Sequence, residues 1–115
     1  MSDSELVSQF AGAAKARGQA VTELDSRRAN IWFDRMKAID RQLRTRGKAT
    51  RLTLAPLLDD PDRFVRYYAA IYLLGLMPDQ ARTVLKWNAK YGADTLAADA
   101  RGFLDALEDG SYKPN

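Results

Sequence analysis

Residues 54–75 read LAPLLDDPDRFVRYYAAIYLLG, and this stretch decides the fold. A short apolar segment comes first, a turn at 59–61 interrupts it, and an apolar helix follows. That helix carries one apolar stripe through Val65 and Leu73 and a second stripe through Tyr67, so it is apolar on most sides. Because such a helix must be covered by others, the stretch predicts the centre of an all-helical stack.

The composition narrows the chemistry that the chain can perform. Its 115 residues fit a single domain, 1–115, with an irregular tail at 110–115, and they include no cysteine and no histidine. That composition removes thiolate nucleophiles, imidazole bases and the usual zinc sites, although carboxylates remain available for Mg²⁺ or Ca²⁺. We therefore expect a non-enzymatic protein with no cofactor and no metal.

The chain shows no membrane or export signal. No apolar run approaches the roughly 20 residues that span a bilayer. The first residues, MSDSELVSQF, lack the basic flank and the long apolar centre of a signal peptide. We expect a cytoplasmic bacterial protein.

Apolar spacing and cap residues predict about six helices and no strand. The first helix is expected at about 3–16, with Gly18 as its stop. The second is the longest and is expected from about 21 to 45, with Gly47 supplying the left-handed turn that ends it.

Four shorter helices are expected after these two. The third helix, at 52–58, contains Pro56, which should bend its last turn. The fourth has Asp60 as its cap and Pro61 at its first helical position. The last two helices are bounded by proline, aspartate and glycine residues, namely Pro78, Gly92, Asp94 and Gly110.

The second helix has an apolar face and a basic face. Its expected buried seam consists of Leu24, Ile31, Trp32, Met36, Ile39 and Leu43. The opposite face carries Arg27, Asp34, Lys37, Arg41 and Arg44. Segment 27–51 holds nine Lys/Arg against two Asp, whereas segment 52–115 holds seven bases against nine acids. This asymmetry indicates a polar partner with a preferred docking side.

The opening stretch resembles a HEAT-type helical repeat. The resemblance rests on the Asp-Asp-Pro-Asp turn at 59–62, on Val65-Arg66 and on Ala69-Ala70. A degenerate repeat at a shift of 31 residues adds to it. The whole chain also resembles a family of small bacterial proteins labelled as a domain of unknown function. Those proteins start with a helix like SELVSQF, have a basic second helix and carry an LLDDPD-x-x-VR-x-x-AA segment.

The resemblance implies a short HEAT-like α-α superhelix that binds other macromolecules. It also implies roles such as an adaptor or an immunity protein against bacterial toxins. One departure is that Ala97 stands where Arg66 would repeat, which argues against a long regular solenoid.

The acidic turn has a catalytic interpretation and a structural one. Asp59, Asp60 and Asp62 could form a carboxylate cluster, but helix capping and pairing of Asp62 with Arg66 explain the same spacing. The resemblance implies that Arg66 ties successive turns together through carboxylates or carbonyls. We favour the structural interpretation of the turn.

The basic face of the second helix also has two interpretations. Phosphate or an acidic protein could bind Arg27, Lys37, Arg41, Arg44 and Arg46. Alternatively, the face is a solvated surface whose charge Asp34 and Asp40 partly neutralise by pairing along the helix. The second interpretation is favoured because exposed helices with such pairing are common.

The aromatic residues give one further candidate. Trp87, with Lys86, Lys90 and Tyr91, falls off the apolar seam of the fifth helix, so it is either a hot spot for a partner or packed on a neighbouring helix. The pairs Trp32-Phe33 and Tyr67-Tyr68 are expected in the core.

The favoured function is a protein-binding module that is a monomer or a homodimer and binds no membrane. Its expected partner-binding residues are Arg27, Lys37, Arg41, Arg44, Lys86, Trp87 and Lys90. The alternative is a nucleic-acid-binding module that uses the basic second helix, in the manner of the HEAT-type DNA glycosylases. An enzyme that uses paired carboxylates is the least favoured class.

Overall fold

The structure, a computed structural model, describes residues 1–91 and 94–114. These residues form six α-helices and one 3₁₀ helix: α1 (Asp3–Thr22), α2 (Ser26–Arg46), α3 (Lys48–Arg51), the 3₁₀ helix (Leu52–Asp59), α4 (Arg63–Leu73), α5 (Pro78–Tyr91) and α6 (Thr95–Asp109). No strand occurs in this part of the chain. The predicted all-α class is therefore confirmed.

The chain divides into two compact units, one of residues 1–57 and one that begins at Leu58. In the first unit α1 packs against α2, and in the second unit α5 packs against both α4 and α6. The organisation as one domain stays a prediction. In the described residues, no helix combines the length and the apolar character needed to cross a membrane.

Helix α1 is longer than predicted. It begins with the expected capping box, in which Ser2 and Glu5 exchange hydrogen bonds between side chain and backbone. The predicted stop at Gly18 is wrong, because Gly18 lies one turn after Ala14 on the buried face and the helix continues through it to Thr22. The Oγ1 of Thr22 donates to the Gly18 carbonyl at 2.9 Å.

The end of α1 is a Schellman turn with leucine at the left-handed position. The Asp25 N–H donates to the Ala20 carbonyl at 2.9 Å, and the Leu24 N–H donates to the Val21 carbonyl at 3.1 Å. Leu24 has φ 59°, the one positive φ among the described non-glycine residues. Glycine is the usual residue there, because a side chain in this conformation costs roughly 1–2 kcal/mol.

Helix α2 starts later than predicted and buries a different seam. It begins at Ser26, where the Asp25 carboxylate accepts from the Arg28 N–H at 3.1 Å. Two residues placed in the seam from the sequence are exposed, Leu24 by 87% and Ile31 by 57%. Leu24 lies in the turn before the helix, and Ile31 stands five residues before Met36, a spacing that does not bring two residues to the same side of a helix. The buried residues of α2 are Ala29, Met36, Ile39, Asp40 and Leu43.

Gly47 ends α2 as predicted, with φ 112°. A helix is present at 52–58 as predicted, and it is a 3₁₀ helix with Pro56 inside it. Proline has no N–H to donate and its ring crowds the preceding turn, which disfavours a regular α-helix. Leu54 and Leu58 are nevertheless buried, so the tighter helix still contributes to the core.

The turn before α4 caps the helix in a different way from the prediction. Asp62 is the cap, since its carboxylate accepts from the Phe64 N–H at 2.9 Å and from the Val65 N–H at 3.2 Å. Asp60 instead accepts from the Asp62 N–H at 2.9 Å and shapes the turn. The predicted positions of Asp60 and Pro61 are therefore wrong, because helical geometry begins only at Arg63.

Helix α4 is the buried centre of the second unit. Its buried residues are Val65, Tyr67, Tyr68, Ala69, Ala70 and Leu73. They include the two adjacent tyrosines expected in the core, whereas Trp32 and Phe33 of α2 are only half-buried. The prediction that this helix is covered on most sides is confirmed.

The last two helices begin where predicted, and α6 also ends where predicted. Helix α5 begins at Pro78, while the predicted stop at Gly92 lies outside the described residues. The Asp94 carboxylate caps α6 by accepting from the Ala97 N–H at 3.1 Å, and Gly110 ends it with φ 81°. After it, the Tyr112 ring packs edge-on against Phe103 at 5.3 Å, and this contact fixes part of the tail.

Candidate functional site

The outward face of α5 brings together exposed aromatic rings and cations. Trp87 is 47% exposed and Tyr91 is 63% exposed, and their ring centroids lie 5.4 Å apart. Arg82, Lys86 and Lys90 are exposed and follow each other at intervals of four residues. This spacing places them in one row beside the aromatic pair. We call these five residues the Trp87 face.

Helix α4 contacts this face through Arg66. The guanidinium carbon of Arg66 lies 5.2 Å from the centroid of the Trp87 ring. The Nη1 of Arg66 also donates to the carbonyls of Asp60 at 2.6 Å and Pro61 at 3.0 Å. Arg66 therefore ties the turn before α4 together through carbonyls and also holds the indole in place. The resemblance implied a link between successive turns, whereas these two hydrogen bonds stay within one turn. The expected pairing with Asp62 does not form, since Asp62 caps the helix.

Two cations of the Trp87 face have no partner among the residues that the structure describes. Among residues 1–91 and 94–114, neither Arg82 nor Lys86 has an ion pair or hydrogen bond from its side chain to a described residue. The Nζ of Lys90 lies 5.3 Å from the Tyr91 ring centroid. The face thus offers positive charge and aromatic surface together, a composition typical of protein interfaces when arginine, tryptophan and tyrosine are present.

The cations predicted on α2 do not act as one group. Lys37 pairs with Asp34 at 3.5 Å and also lies 5.0 Å from the Phe33 ring centroid. Arg44 Nε donates to Asp40 Oδ2 at 2.6 Å. Arg46 reaches across to the start of α1, where it pairs with Asp3 at 2.8 Å. These three side chains serve contacts within the first unit. The pairs with Asp34 and Asp40 are those predicted along α2, whereas the pair of Arg46 with Asp3 joins two helices and was not predicted.

Asp40 forms a buried charge cluster with two arginines. The residue is 6% exposed, and its Oδ1 has no hydrogen-bond partner in the described part of the chain. Burial and the neighbouring Arg44 lower the pKa of Arg51, while Asp40 opposes that shift. The sequence placed Asp40 on the surface as a neutralising charge, and nothing in the apolar pattern signalled its burial.

Arg27 and Arg41 are the two predicted α2 cations that are exposed and whose side chains have no ion pair or hydrogen bond with another described residue. The exposed Ile31 lies between them on the same side of the helix. The sequence found the two arginines but missed the isoleucine, because Ile31 had been assigned to the buried seam. The heptad of Ala29, Met36 and Leu43 was the signal for the correct seam.

The acidic turn has the geometry of a cap. The carboxylates of Asp60 and Asp62 both accept backbone N–H groups, and Asp59 is exposed. The structural interpretation of this turn is therefore the one that the hydrogen bonds support.

Comparisons with known proteins found one matching family and a similar solved structure. The model of the family described as Domain of unknown function (DUF2019) matches residues 4–108. The crystal structure of the protein RPA1889 from Rhodopseudomonas palustris CGA009 is similar at a TM-score of 0.93 and 31% sequence identity. The match covers 100% of this chain and 95% of that chain. No curated protein matches the sequence.

Proposed function

We propose that this chain, which belongs to the DUF2019 family, is a non-enzymatic module that binds another protein through the Trp87 face. The observation that carries the proposal is the exposed pair of Trp87 and Tyr91 beside the row of Arg82, Lys86 and Lys90. An exposed indole that is already held by Arg66 loses little conformational freedom when a partner covers it. Such side chains commonly dominate binding energy.

The charge of the face indicates the chemistry of the partner. Because the cations at Arg82 and Lys86 are unpaired among the described residues, the partner should present carboxylates to them and an apolar group to the rings. We include a HEAT-like arrangement of the helices in this proposal, since repeats of that kind bind macromolecules. We also include a cytoplasmic location. An adaptor or toxin-immunity role is decided by the identity of the partner.

A nucleic-acid partner is the alternative that the Trp87 face has to be tested against. Rings beside cations can also stack on unpaired bases. Here Arg66 lies over Trp87 and Lys90 lies over Tyr91, so cations of the chain itself already cover part of both rings. On α2, Lys37, Arg44 and Arg46 form ion pairs within the protein. This weakens the case for nucleic-acid binding by that helix.

The test is affinity capture with the full chain from cells of the organism that carries the gene. We expect a specific protein to be retained by the wild type and lost with Trp87→Ala and with the double variant Lys86→Glu/Lys90→Glu. Lys15→Glu changes the same charge on the exposed side of α1 and should retain it. Salt-sensitive retention of single-stranded DNA or RNA that depends on Trp87 would favour the alternative. Turnover that one carboxylate change abolishes would overturn the proposal.

A further inference from the structure

The outward face of α2 carries an apolar residue between two unpaired cations. Arg27, Ile31, Asp34, Ala38 and Arg41 succeed one another at steps of four, three, four and three residues. This spacing keeps all five on one side of the helix. We call them the Ile31 face. Its centre is Ile31, which is 57% exposed.

The two arginines of this face differ from the other bases of α2, because neither side chain has an ion pair or hydrogen bond with a described residue. Arg28 pairs with Glu23 at 2.8 Å, and Arg35 donates to Gln9 at 3.3 Å. Arg27 and Arg41 have no such contact among the described residues. Fourteen residues of α-helix separate them, so they stand about 21 Å apart along the axis.

The turn that leads into α2 adds a second exposed apolar side chain. Leu24 is 87% exposed and is held at φ 59° by the hydrogen bonds of the Schellman turn. A leucine held in a costly backbone conformation with its side chain in solvent is an outlier that points to a function outside the fold. It lies two residues before the start of α2, near the end of the helix that carries Arg27.

We propose that the Ile31 face is a second docking surface, and that it binds an acidic amphipathic helix of another protein. Apolar residues of that helix cover Ile31, and carboxylates near its two ends pair with Arg27 and Arg41. A helix of about fifteen residues is needed to reach both arginines at 1.5 Å per residue. Helices that lay an apolar side on a partner surface are a common mode of recognition.

The charges of the face disfavour two of the ways in which a second copy of this chain could occupy it. If two α2 helices pair antiparallel around Asp34, then Arg27 of one copy meets Arg41 of the other. If they pair in parallel, each arginine meets its own equivalent. Both of these registers place like charges together, which is unfavourable for association. In an antiparallel pair centred on Ile31, Arg27 of one copy would instead lie next to Asp34 of the other, so sedimentation has to separate a second copy from an acidic helix.

The face also fits phosphate poorly. Asp34 lies between the two arginines and would repel a nucleic-acid backbone, although Lys37 offsets its charge at 3.5 Å. Isoleucine can neither stack on a base nor donate a hydrogen bond to it. An acidic helix fits both the two arginines and the isoleucine, because it supplies separated carboxylates and an apolar centre.

The test is a selection from a library of helical peptides of about 18 residues with the full chain as bait. We expect the enriched peptides to carry carboxylates toward both ends and an apolar residue between them. The selection is repeated on Ile31→Asp and on Arg27→Glu/Arg41→Glu, and the affinity of one enriched peptide is then measured on each protein. Both variants should weaken binding about tenfold or more. Lys15→Glu and Trp87→Ala should leave it unchanged, which separates this surface from the Trp87 face.

Three results would overturn the inference. The first is enrichment of the same peptides by the Ile31→Asp bait. The second is a 20-nucleotide single strand of DNA that binds the wild type and is lost with Arg27→Glu/Arg41→Glu while no peptide is enriched. The third is a concentration-dependent dimer in sedimentation that Ile31→Asp dissociates.

Discussion

Arg66 of α4 lies over the indole of Trp87 on α5, with 5.2 Å between its guanidinium carbon and the ring centroid. The same guanidinium donates to the carbonyls of Asp60 and Pro61 in the turn before α4. One side chain therefore links the acidic turn to the exposed aromatic residue. The stability of the second unit and the orientation of its candidate binding surface depend on the same contact.

Replacing Arg66 by methionine should loosen this link. We expect the free energy of unfolding to fall by about 1 kcal/mol, because a cation–aromatic contact and two hydrogen bonds are lost. Urea unfolding, followed by Trp87 fluorescence in a Trp32→Phe background, measures the change. Arg82→Met removes the same charge on the Trp87 face without such contacts and should stay within about 0.5 kcal/mol of the parent. Equal losses in both variants would contradict the role given to Arg66.

Leu24→Gly should stabilise the first unit. Glycine removes roughly 1–2 kcal/mol of strain at the left-handed position of the Schellman turn, and it returns part of that gain as chain entropy. We expect a net increase of about 0.5–1 kcal/mol in the free energy of unfolding, seen as a higher Tm. Leu24→Ala keeps the strained backbone and serves as the control. An unchanged or lower Tm for the glycine variant would show that the backbone there carries no strain.

Gly47 and Gly102 should respond to alanine with opposite signs. An added Cβ meets no heavy atom within 4 Å at either position, so space does not decide the outcome. Gly47 has φ 112°, a region in which a side chain costs roughly 1–3 kcal/mol, so Gly47→Ala should destabilise by that amount. Gly102 lies within α6, where alanine is better than glycine by about 0.5–1 kcal/mol. Thermal unfolding of both variants checks the signs, and two changes in the same direction would refute the argument.

Asp94 should make the second unit sensitive to acid. Desolvation raises its pKa, but the hydrogen bond from the Ala97 N–H and the contact with Arg63 outweigh this and leave the pKa below the ordinary 3.8. Because the unfolded chain then binds protons more readily than the folded one, the contribution is present above about pH 4 and is lost as the pH falls through the lowered pKa. Asp94→Asn keeps the capping oxygen and loses the charge. Its unfolding midpoint in urea should therefore vary less between pH 5 and pH 3 than that of the wild type, and an identical slope would contradict the assignment.

The sequence predicted the class of the fold and several helix ends, and its errors have separate physical causes. Gly18 suggested a stop because glycine often ends helices, but here it serves the buried side of α1. The real stop places leucine in a conformation for which the sequence carries no signal. That missed turn put Leu24 in the seam of α2. Ile31 was placed in the same seam although it stands five residues from Met36, and this second error hid the Ile31 face.

The residues of the candidate site were easier to predict where they did not belong to the apolar pattern of a helix. Trp87 and its flanking lysines fall off the apolar pattern of α5, and Trp87 is in fact nearly half exposed. The pairing of α2 cations was foreseen along the helix, as in Arg44 with Asp40, since such pairs depend only on spacing. Contacts across helices, such as Arg46 with Asp3, depend on packing and could not be derived from spacing.

The most direct measurement is an NMR titration of the isotope-labelled full chain with the captured partner protein. If the Trp87 face is the binding surface, shift changes concentrate on the Trp87 indole N–H and on backbone amides 82–91, and Lys86→Glu/Lys90→Glu suppresses them. An unmoved indole signal at saturation, with the changes confined to other helices, would contradict the proposed function.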